Sequence, residues 1–216
     1  MPIEYGNAEA IAGLLNRIAR REGVGDILAQ GIRYAANAWG LEELAVHVKD
    51  MEPAGYDPRI LKGMGLAYAT SDRGACHLRT TFYKPELSGM IEPEQIEGKA
   101  EMFIDFEDRL TLFDCLILCR FYRDMYGWEA LEKTVSAVTG LELDKKALRT
   151  IAASVSTLIR GFNIREGLTP QDDRLPKQLH QGLKDSDRVI TDEELEFMVK
   201  DYYRLRGWDE TGTPPD

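Results

Sequence analysis

The chain has 216 residues, 44% of them hydrophobic, and a formal net charge of −10 at pH 7, which suits a globular fold with a buried core and argues against the basic stripe of a nucleic-acid-binding protein. No apolar run approaches the roughly 18 residues of a membrane span, and the N-terminal MPIEYGNAEA has neither the basic nor the apolar region of a signal peptide. Three scattered cysteines favour the reducing cytoplasm over a disulfide framework.

Helical spacing of apolar residues dominates the first half of the chain. It predicts a first helix that follows a cap at Asn7, and a second helix over residues 26–39. A third helix is predicted over residues 57–70, with Asp57 as its N-terminal cap. Between the last two, residues 46–49 are predicted to form at most a short strand.

The second half of the chain is also predicted to be helical. The segment FYKPELSGMIEPEQ is rich in proline and glycine and indicates a surface loop. Helices are then predicted over residues 93–125, over residues 128–138, and after a cap at Asp144. A capping box formed by Thr191 and Glu194 begins the last helix, and the tail WDETGTPPD is expected to fray. The predicted fold class is therefore all-α, an irregular multi-helix bundle.

Two of the three cysteines lie four residues apart in DCLILCRF, which begins at Asp114. On a continuous helix Cys115 and Cys119 share a face, from which Asp114 is offset. Small buried apolar groups are the usual role of free cysteines. If the helix ends near Leu118, however, Cys119 can point away from the core. A zinc site is disfavoured because no second pair of cysteines has suitable spacing.

The stretch YATSDRGACHLR has no helical or strand rhythm and indicates a tight loop after a helix. Arg73 and Arg79 are donors suited to phosphate or carboxylate. His77 is a candidate proton donor, metal ligand or hydrogen-bonded structural residue. A Cys76–His77 dyad for acyl transfer is disfavoured, because sequence neighbours rarely point at each other in the required geometry.

Two other stretches leave alternatives open. Gly63 and Gly65 interrupt a helical pattern, so either another helix or a ligand approaches that backbone closely. Asn163, Arg165 and residues 172–174 form a polar cluster that either pins a loop through hydrogen bonds or contributes to a site.

The sequence resembles the C-terminal part of the aldehyde ferredoxin oxidoreductase family of tungsten-pterin enzymes in four phrases, which occur in the family's order: REGVGDILAQG, YDPRILKGMGLAYATSDRGACHLR, DCLILCRF and LIRGFNIREGLTPQDDRLP. Enzymes of that family are longer, with a β-rich domain that seats a twin-pterin cofactor and two mostly helical domains. The resemblance implies that residues 1–50 end the middle domain, residues 51–208 form the C-terminal domain and residues 209–216 are a flexible tail.

The resemblance also implies site residues, which lie in a family motif Asp-x-x-Gly-Leu-Cys. Asp114 would accept hydrogen bonds from one pterin, and the main chain of Leu118 and Cys119 would line that pterin. Cys119 would be the fourth thiolate ligand of a 4Fe-4S cluster. Ile117 stands where the family has glycine, which bears on how closely a pterin can approach the backbone.

Two residues of the preceding loop complete the implied site. His77 matches a histidine near the metal, and Arg79 is assigned to the polar edge of the cofactor. The implied reaction oxidises a small aldehyde to a carboxylic acid at a tungsten (or molybdenum) bis-pterin, with electrons passing through the cluster to ferredoxin.

The resemblance also implies how the isolated chain behaves. The other three cluster cysteines lie in the missing N-terminal part of such enzymes, so the chain alone is expected to be inactive and without cofactor. Its exposed apolar face would permit self-association or a homo-oligomer. The alternative function is a non-catalytic helical docking module derived from the family.

Overall fold

A computed structural model describes residues 3–215. Over that range the chain is helical and has no β-strand, which confirms the all-α prediction. An isolated antiparallel bridge joins Val48 to Met51, where the sequence predicts at most a short strand. No helix within residues 3–215 is long and apolar enough to cross a membrane. The α-helices of this range are α1 (Ala8–Arg20), α2 (Val24–Leu28), α3 (Ile32–Trp39), α4 (Lys62–Thr70), α5 (Tyr83–Leu87), α6 (Lys99–Cys115), α7 (Trp128–Thr139), α8 (Lys145–Arg165) and α9 (Asp192–Arg206).

Capping residues place three of these helices as predicted. The Asn7 side chain accepts a hydrogen bond from the Ala10 N–H at 3.0 Å and starts α1. Asp144 caps α8 in the same way, and Thr191 and Glu194 form the capping box of α9. These caps confirm the predicted starting points of the three helices. They could be predicted because each cap involves residues only three positions apart.

Two predicted helix boundaries are wrong. The continuous helix over residues 26–39 is broken into α2 and α3, because Gly31 has a φ of 94°, outside the helical region. The helix over residues 57–70 begins instead at Lys62. Asp57 caps a preceding turn, in which its carboxylate accepts the Arg59 N–H at 2.9 Å.

Helix α4 lies at the centre of the fold, with all of its residues buried. A Cβ atom at Gly63 would come within 2.3 Å of the Phe82 ring, and one at Gly65 within 2.5 Å of the Ile190 side chain. The two glycines therefore make room for side chains of packed neighbours, which decides between the two alternatives in favour of packing.

The predicted surface loop over residues 82–95 is wrong in its first part, which forms α5 and contributes Glu86 to a buried charged pair. Glu86 and Lys99 are fully buried and joined at 2.5 Å. Glu86 also accepts the Gly63 N–H at 2.8 Å, so α4, α5 and the start of α6 share one carboxylate. Buried ions persist when paired and hydrogen-bonded in this way.

Helix α6 is shorter than the predicted span of residues 93–125 and runs through two hydrophobic cores. Its first half packs with α4 and α9, and its second half packs with α7 and α8. Phe103 belongs to the first core and Phe113 to the second. The C-terminal end of α6 is therefore held by its packing against α7 and α8.

The segment after α9, where the sequence predicts fraying, makes packing contacts up to Gly212. Trp208 is buried in the first core. The Gly212 carbonyl accepts a hydrogen bond from Arg160 at 2.8 Å, and a Cβ atom there would lie 2.5 Å from the Tyr203 ring. Aromatic packing and the Arg160 hydrogen bond hold the tail against the domain. Asp216 lies outside the described residues.

Candidate functional site

The candidate site begins at the C-terminal end of α6. The Leu118 N–H donates to the Phe113 carbonyl at 2.8 Å, and the Ile117 N–H donates to the Asp114 carbonyl at 3.1 Å. This pair of bonds is a Schellman motif, which requires a left-handed residue and usually uses glycine there. Ile117 fills the position with a φ of 58° and a side chain that is 93% exposed.

This turn brings both cysteines of the segment to the surface. Cys115 is the last residue of α6, and Cys119 follows the turn with an extended backbone. Both thiols are free and exposed, so the interpretation of these cysteines as small buried groups is wrong. Within residues 3–215, no three histidine, cysteine or acidic side chains come together in a metal-binding group. Cys119 is therefore a single exposed thiol.

Asp114, at the end of α6, is held by two guanidinium groups. Its Oδ2 atom lies 2.5 Å from Arg79 and 2.5 Å from Arg120. No donor in the described part of the chain binds its Oδ1 atom. The carboxylate is thus anchored through one oxygen and leaves the other available as an acceptor.

Arg79 connects Asp114 to the loop that precedes it. Its guanidinium forms a fork with Asp72, at 2.7 and 2.8 Å, and its remaining nitrogen binds Asp114. Although burial acts to lower it, the pKa of Arg79 is raised by its hydrogen bonds and ion pairs with these carboxylates. Asn163 of α8 binds the Asp72 carbonyl at 2.7 Å. The structure therefore brings Arg79 and Asp114 together, and Asn163 pins the loop.

Sequence reasoning missed Arg120, which directly follows Cys119. Besides Asp114, its guanidinium binds the Leu78 carbonyl and lies 3.4 Å from the Arg79 carbonyl. The loop segment that carries His77 is therefore tied to the end of α6. The sequence signal that could have identified Arg120 is its position directly after Cys119, the candidate cluster ligand. An arginine there is informative because its guanidinium can bind several acceptors at once.

His77 is half-buried on the same loop, two residues before Arg79. Its ring lies 5.6 Å from that of Tyr56, which stacks on Tyr83 at 4.0 Å. Burial lowers the pKa of His77, and the positive charge of Arg73 lowers it further. The imidazole is therefore neutral at pH 7.

Cys76 supports the loop from inside. It is buried, and its sulfur accepts hydrogen bonds from Arg73 at 2.9 and 3.3 Å and from the Leu78 N–H at 3.4 Å. These bonds give Cys76 a structural role within the loop.

A cavity of about 240 Å³ lies behind the Arg79–Asp114 pair. Its polar wall includes Asp72 and Cys115, and its apolar wall comes from α8 through Val155 and Ile159. Arg79 and Asp114 line this cavity, whereas His77, Leu118 and Cys119 do not.

Comparison with known proteins identifies the family. The family model described as aldehyde ferredoxin oxidoreductase, domains 2 and 3, matches residues 1–216. The chain belongs to the aldehyde ferredoxin oxidoreductase family. It is 34% identical over 220 residues to the tungsten-containing aldehyde ferredoxin oxidoreductase of Pyrococcus furiosus, covering 99% of this chain and 36% of that protein. The enzyme of the same name from Thermococcus kodakarensis is 33% identical, with 99% of this chain and 36% of that protein covered.

Two further matches have lower identity and carry other names. A P. furiosus aliphatic sulfonate oxidoreductase, WOR-like subunit, is 24% identical over 99% of this chain and 34% of that protein. In the solved structures, the active-site complex BamBC of benzoyl coenzyme A reductase shares the fold, with a TM-score of 0.73, 20% identity, and coverage of 98% of this chain and 38% of that chain. The chain thus spans about a third of the length of its relatives.

Proposed function

We propose that the chain forms the C-terminal, cofactor-facing part of a tungsten- or molybdenum-pterin enzyme that oxidises aldehydes to carboxylic acids and passes electrons to ferredoxin. The single observation that carries this proposal is the end of α6, where a turn presents Cys119 outward beside the anchored Asp114. Family membership supports the tungsten cofactor, and the names of the relatives at 33–34% identity support the aldehyde substrate.

Cys119 fits the role of an iron ligand. Thiolates hold 4Fe-4S clusters, and four are needed. An exposed thiol on extended backbone can meet a cluster held largely by another part of the protein, whereas residues 3–215 offer no site that could hold one alone. We assign one cluster bond to Cys119 and the other three to residues outside this chain.

Asp114 fits the role of a pterin acceptor. Its Oδ1 atom is free in the described part of the chain, while Oδ2 is fixed by arginines. The N–H edge of a pterin resembles a guanidine, which pairs well with a carboxylate. Because the Leu118 N–H is already bonded to the Phe113 carbonyl, the Leu118 carbonyl is the main-chain group of this residue that is left to contact a cofactor.

His77 and Arg79 have different proposed roles, one towards the substrate and the other towards Asp114. The lowered pKa of His77 favours a neutral imidazole whose ring N–H donates a hydrogen bond to the aldehyde carbonyl. The guanidinium of Arg79 is occupied by Asp72 and Asp114, which supports a role in orienting Asp114 over a direct contact with the cofactor. The cofactor, when bound, supplies oxygen transfer and two-electron uptake, and the protein supplies position and hydrogen bonds.

Metal analysis of variants in the full-length protein tests this proposal. Cys119→Ser should lose iron before tungsten or molybdenum, because a hydroxyl is a poor iron ligand. Asp114→Asn should lose tungsten or molybdenum before iron, because an amide lacks the charge of the carboxylate and can place a donor where an acceptor is needed.

The structure offers a matched control for each variant. Cys115→Ser changes the neighbouring exposed thiol, and Asp124→Asn changes an exposed carboxylate paired with Lys84. Both controls should keep parental metal content. If Cys119→Ser and Asp114→Asn also keep iron and tungsten or molybdenum at parental levels, the assignment is wrong. A parental protein free of both metals would instead favour a docking module.

A further inference from the structure

Arg120 makes contacts to two separate parts of the site at once. It begins the short 3-10 turn Arg120–Tyr122, directly after Cys119. Its Nη2 atom binds the Asp114 carboxylate at 2.5 Å, and its Nη1 atom binds the Leu78 carbonyl. One side chain therefore links the end of α6 to the loop that carries His77.

The backbone that carries Arg120 is itself fixed. The Arg120 carbonyl accepts a hydrogen bond from Arg123 at 2.8 Å, and the Arg123 carbonyl accepts one from Arg109 of α6 at 2.6 Å. The Arg120 side chain is only 15% exposed, so its position is restricted by packing as well as by hydrogen bonds. A planar guanidinium on a fixed base holds its acceptors in a defined geometry.

The two arginines on Asp114 also determine which oxygen is free. Arg79 and Arg120 both bind Oδ2, and no group in the described residues binds Oδ1. Arg79 alone would leave the carboxylate free to rotate about a single contact. Arg120 supplies a second contact from a different segment of the chain, and two contacts restrict the orientation of the carboxylate more than one.

We propose that Arg120 is a positioning residue that clamps the His77 loop to α6 and orients Asp114 so that Oδ1 faces the cofactor. The second half of this inference rests on the proposed function, because it takes Asp114 as the pterin acceptor. The first half concerns only contacts within this chain and is independent of any cofactor.

Amide hydrogen exchange in the cofactor-free full-length protein tests the clamp. Arg120→Met should accelerate exchange in residues 74–80 on the order of tenfold, because the loop loses its tie to α6. Arg149→Met is the matched control, since Arg149 also bridges two carboxylates, Asp105 and Asp108, away from this loop. The control should leave exchange in residues 74–80 unchanged.

Chemical rescue separates positioning from a general loss of stability. In Arg120→Ala, added methylguanidinium should slow exchange in residues 74–80 towards the parental rate, because it can occupy the vacated space between Asp114 and Leu78. The proposed clamp is wrong if Arg120→Met exchanges at the parental rate or if Arg149→Met accelerates exchange equally. It is also wrong if methylguanidinium does not slow exchange in Arg120→Ala. If Arg120→Met fails to fold, the rescue of Arg120→Ala and the exchange of Arg120→Lys decide the question.

Tungsten or molybdenum content of the loaded full-length protein tests the orientation of Asp114. Arg120→Met should retain several-fold less metal than the parent, and Arg120→Lys, which can keep one charged contact, should fall between them. If Asp114→Asn loses the metal but Arg120→Met keeps it, this inference fails and the proposed function stands. If Asp114→Asn keeps the metal, the proposed function itself fails.

Discussion

The Ile117 N–H donates to the Asp114 carbonyl at 3.1 Å, so the left-handed residue that closes α6 is bonded to the residue that carries the candidate acceptor. A bulky β-branched residue is unfavourable in this conformation. Since its side chain is almost fully exposed, the isoleucine gains little from packing in return. The strain therefore lies in the turn that directs Cys119 outward.

Ile117→Gly should stabilise the fold. The left-handed backbone costs an L-residue roughly 1–2 kcal/mol, and the extra freedom of glycine in the unfolded chain offsets about 1 kcal/mol of that. We expect the free energy of unfolding to rise by up to about 1 kcal/mol in denaturant titrations. Ile117→Ala keeps a Cβ atom and should bring no such gain. Equal stability of the two variants would mean that the turn is unstrained.

Gly63→Ala should destabilise the fold because its Cβ atom would overlap the buried Phe82 ring. Overpacking of a core typically costs about 1–3 kcal/mol. Gly161→Ala is the matched control in the C-terminal part of α8, where the nearest atom to a new Cβ lies 3.9 Å away. That control should be neutral or stabilising by up to about 1 kcal/mol, because alanine is the better helix former. A tolerated Gly63→Ala in thermal unfolding would contradict the packing explanation.

Asp57 should contribute stability at neutral pH but not in acid. Burial acts to raise its pKa, but hydrogen bonds from the Arg59 side chain and amide lower it overall. A depressed carboxyl pKa stabilises the fold above the ordinary aspartate value of about 3.9, and this contribution is lost as the pH falls through the depressed value.

The measurement for Asp57 is the free energy of unfolding as a function of pH. Asp57→Asn should be less stable than the parent at pH 7, and the difference should shrink below about pH 4. Asp187→Asn changes an exposed carboxylate without an ion pair among residues 3–215 and should follow the parental curve. A difference for Asp57→Asn that is constant with pH would show that its charge is irrelevant.

His77→Ala in the full-length protein should lower turnover with iron and tungsten near parental content. Loss of a positioned hydrogen-bonding or acid–base group typically reduces rates by on the order of a hundredfold. Because burial and the charge of Arg73 lower the pKa of His77, its protonation should not limit activity above about pH 7. His47→Ala, a change at another half-buried histidine, should keep its activity. Near-normal turnover of His77→Ala would leave His77 a structural residue.

The chain expressed by itself should be colourless and should self-associate. The segment after α6 exposes several large apolar side chains, with Phe121 88% exposed. The exposed side chains are those of Leu116, Ile117, Phe121, Tyr122 and Met125. Such an apolar patch on a soluble surface favours association.

Sedimentation measurements test the role of this patch. Phe121→Ser should weaken self-association of the isolated chain, whereas Val138→Ser, which changes an exposed apolar residue at the end of α7, should not. Stoichiometric iron in the chain purified without a second subunit would contradict the expectation that Cys119 alone cannot hold a cluster.

Local signals predicted the helix starts that a side chain caps, but they did not predict a break inside a helical pattern. The caps at Asn7, Asp144 and Thr191 involve residues three positions apart, so the sequence contains all of the information. The break at Gly31 was missed because a glycine inside a periodic pattern is compatible with either a continuous or an interrupted helix.

The candidate site was predictable only where the resemblance supplied it. The motif placed Asp114 and Cys119, and the structure adds the ion pair between Arg79 and Asp114, which are 35 residues apart. Contacts at such separations depend on tertiary packing, which periodicity and spacing do not report. The buried Glu86–Lys99 pair was hidden for a different reason, since proline and glycine around Glu86 indicated a loop at the surface.

Because α6 contributes Phe103 to one core and Phe113 to the other, the two cores cannot melt separately without breaking this helix. Unfolding of this region should therefore be a single cooperative event, and a partly unfolded form would also lose the turn at Ile117. A ligand held by Asp114 or Cys119 binds only the folded form, so its binding free energy adds to the stability of both cores. Loading of the site and resistance of the whole domain to proteolysis should consequently rise together.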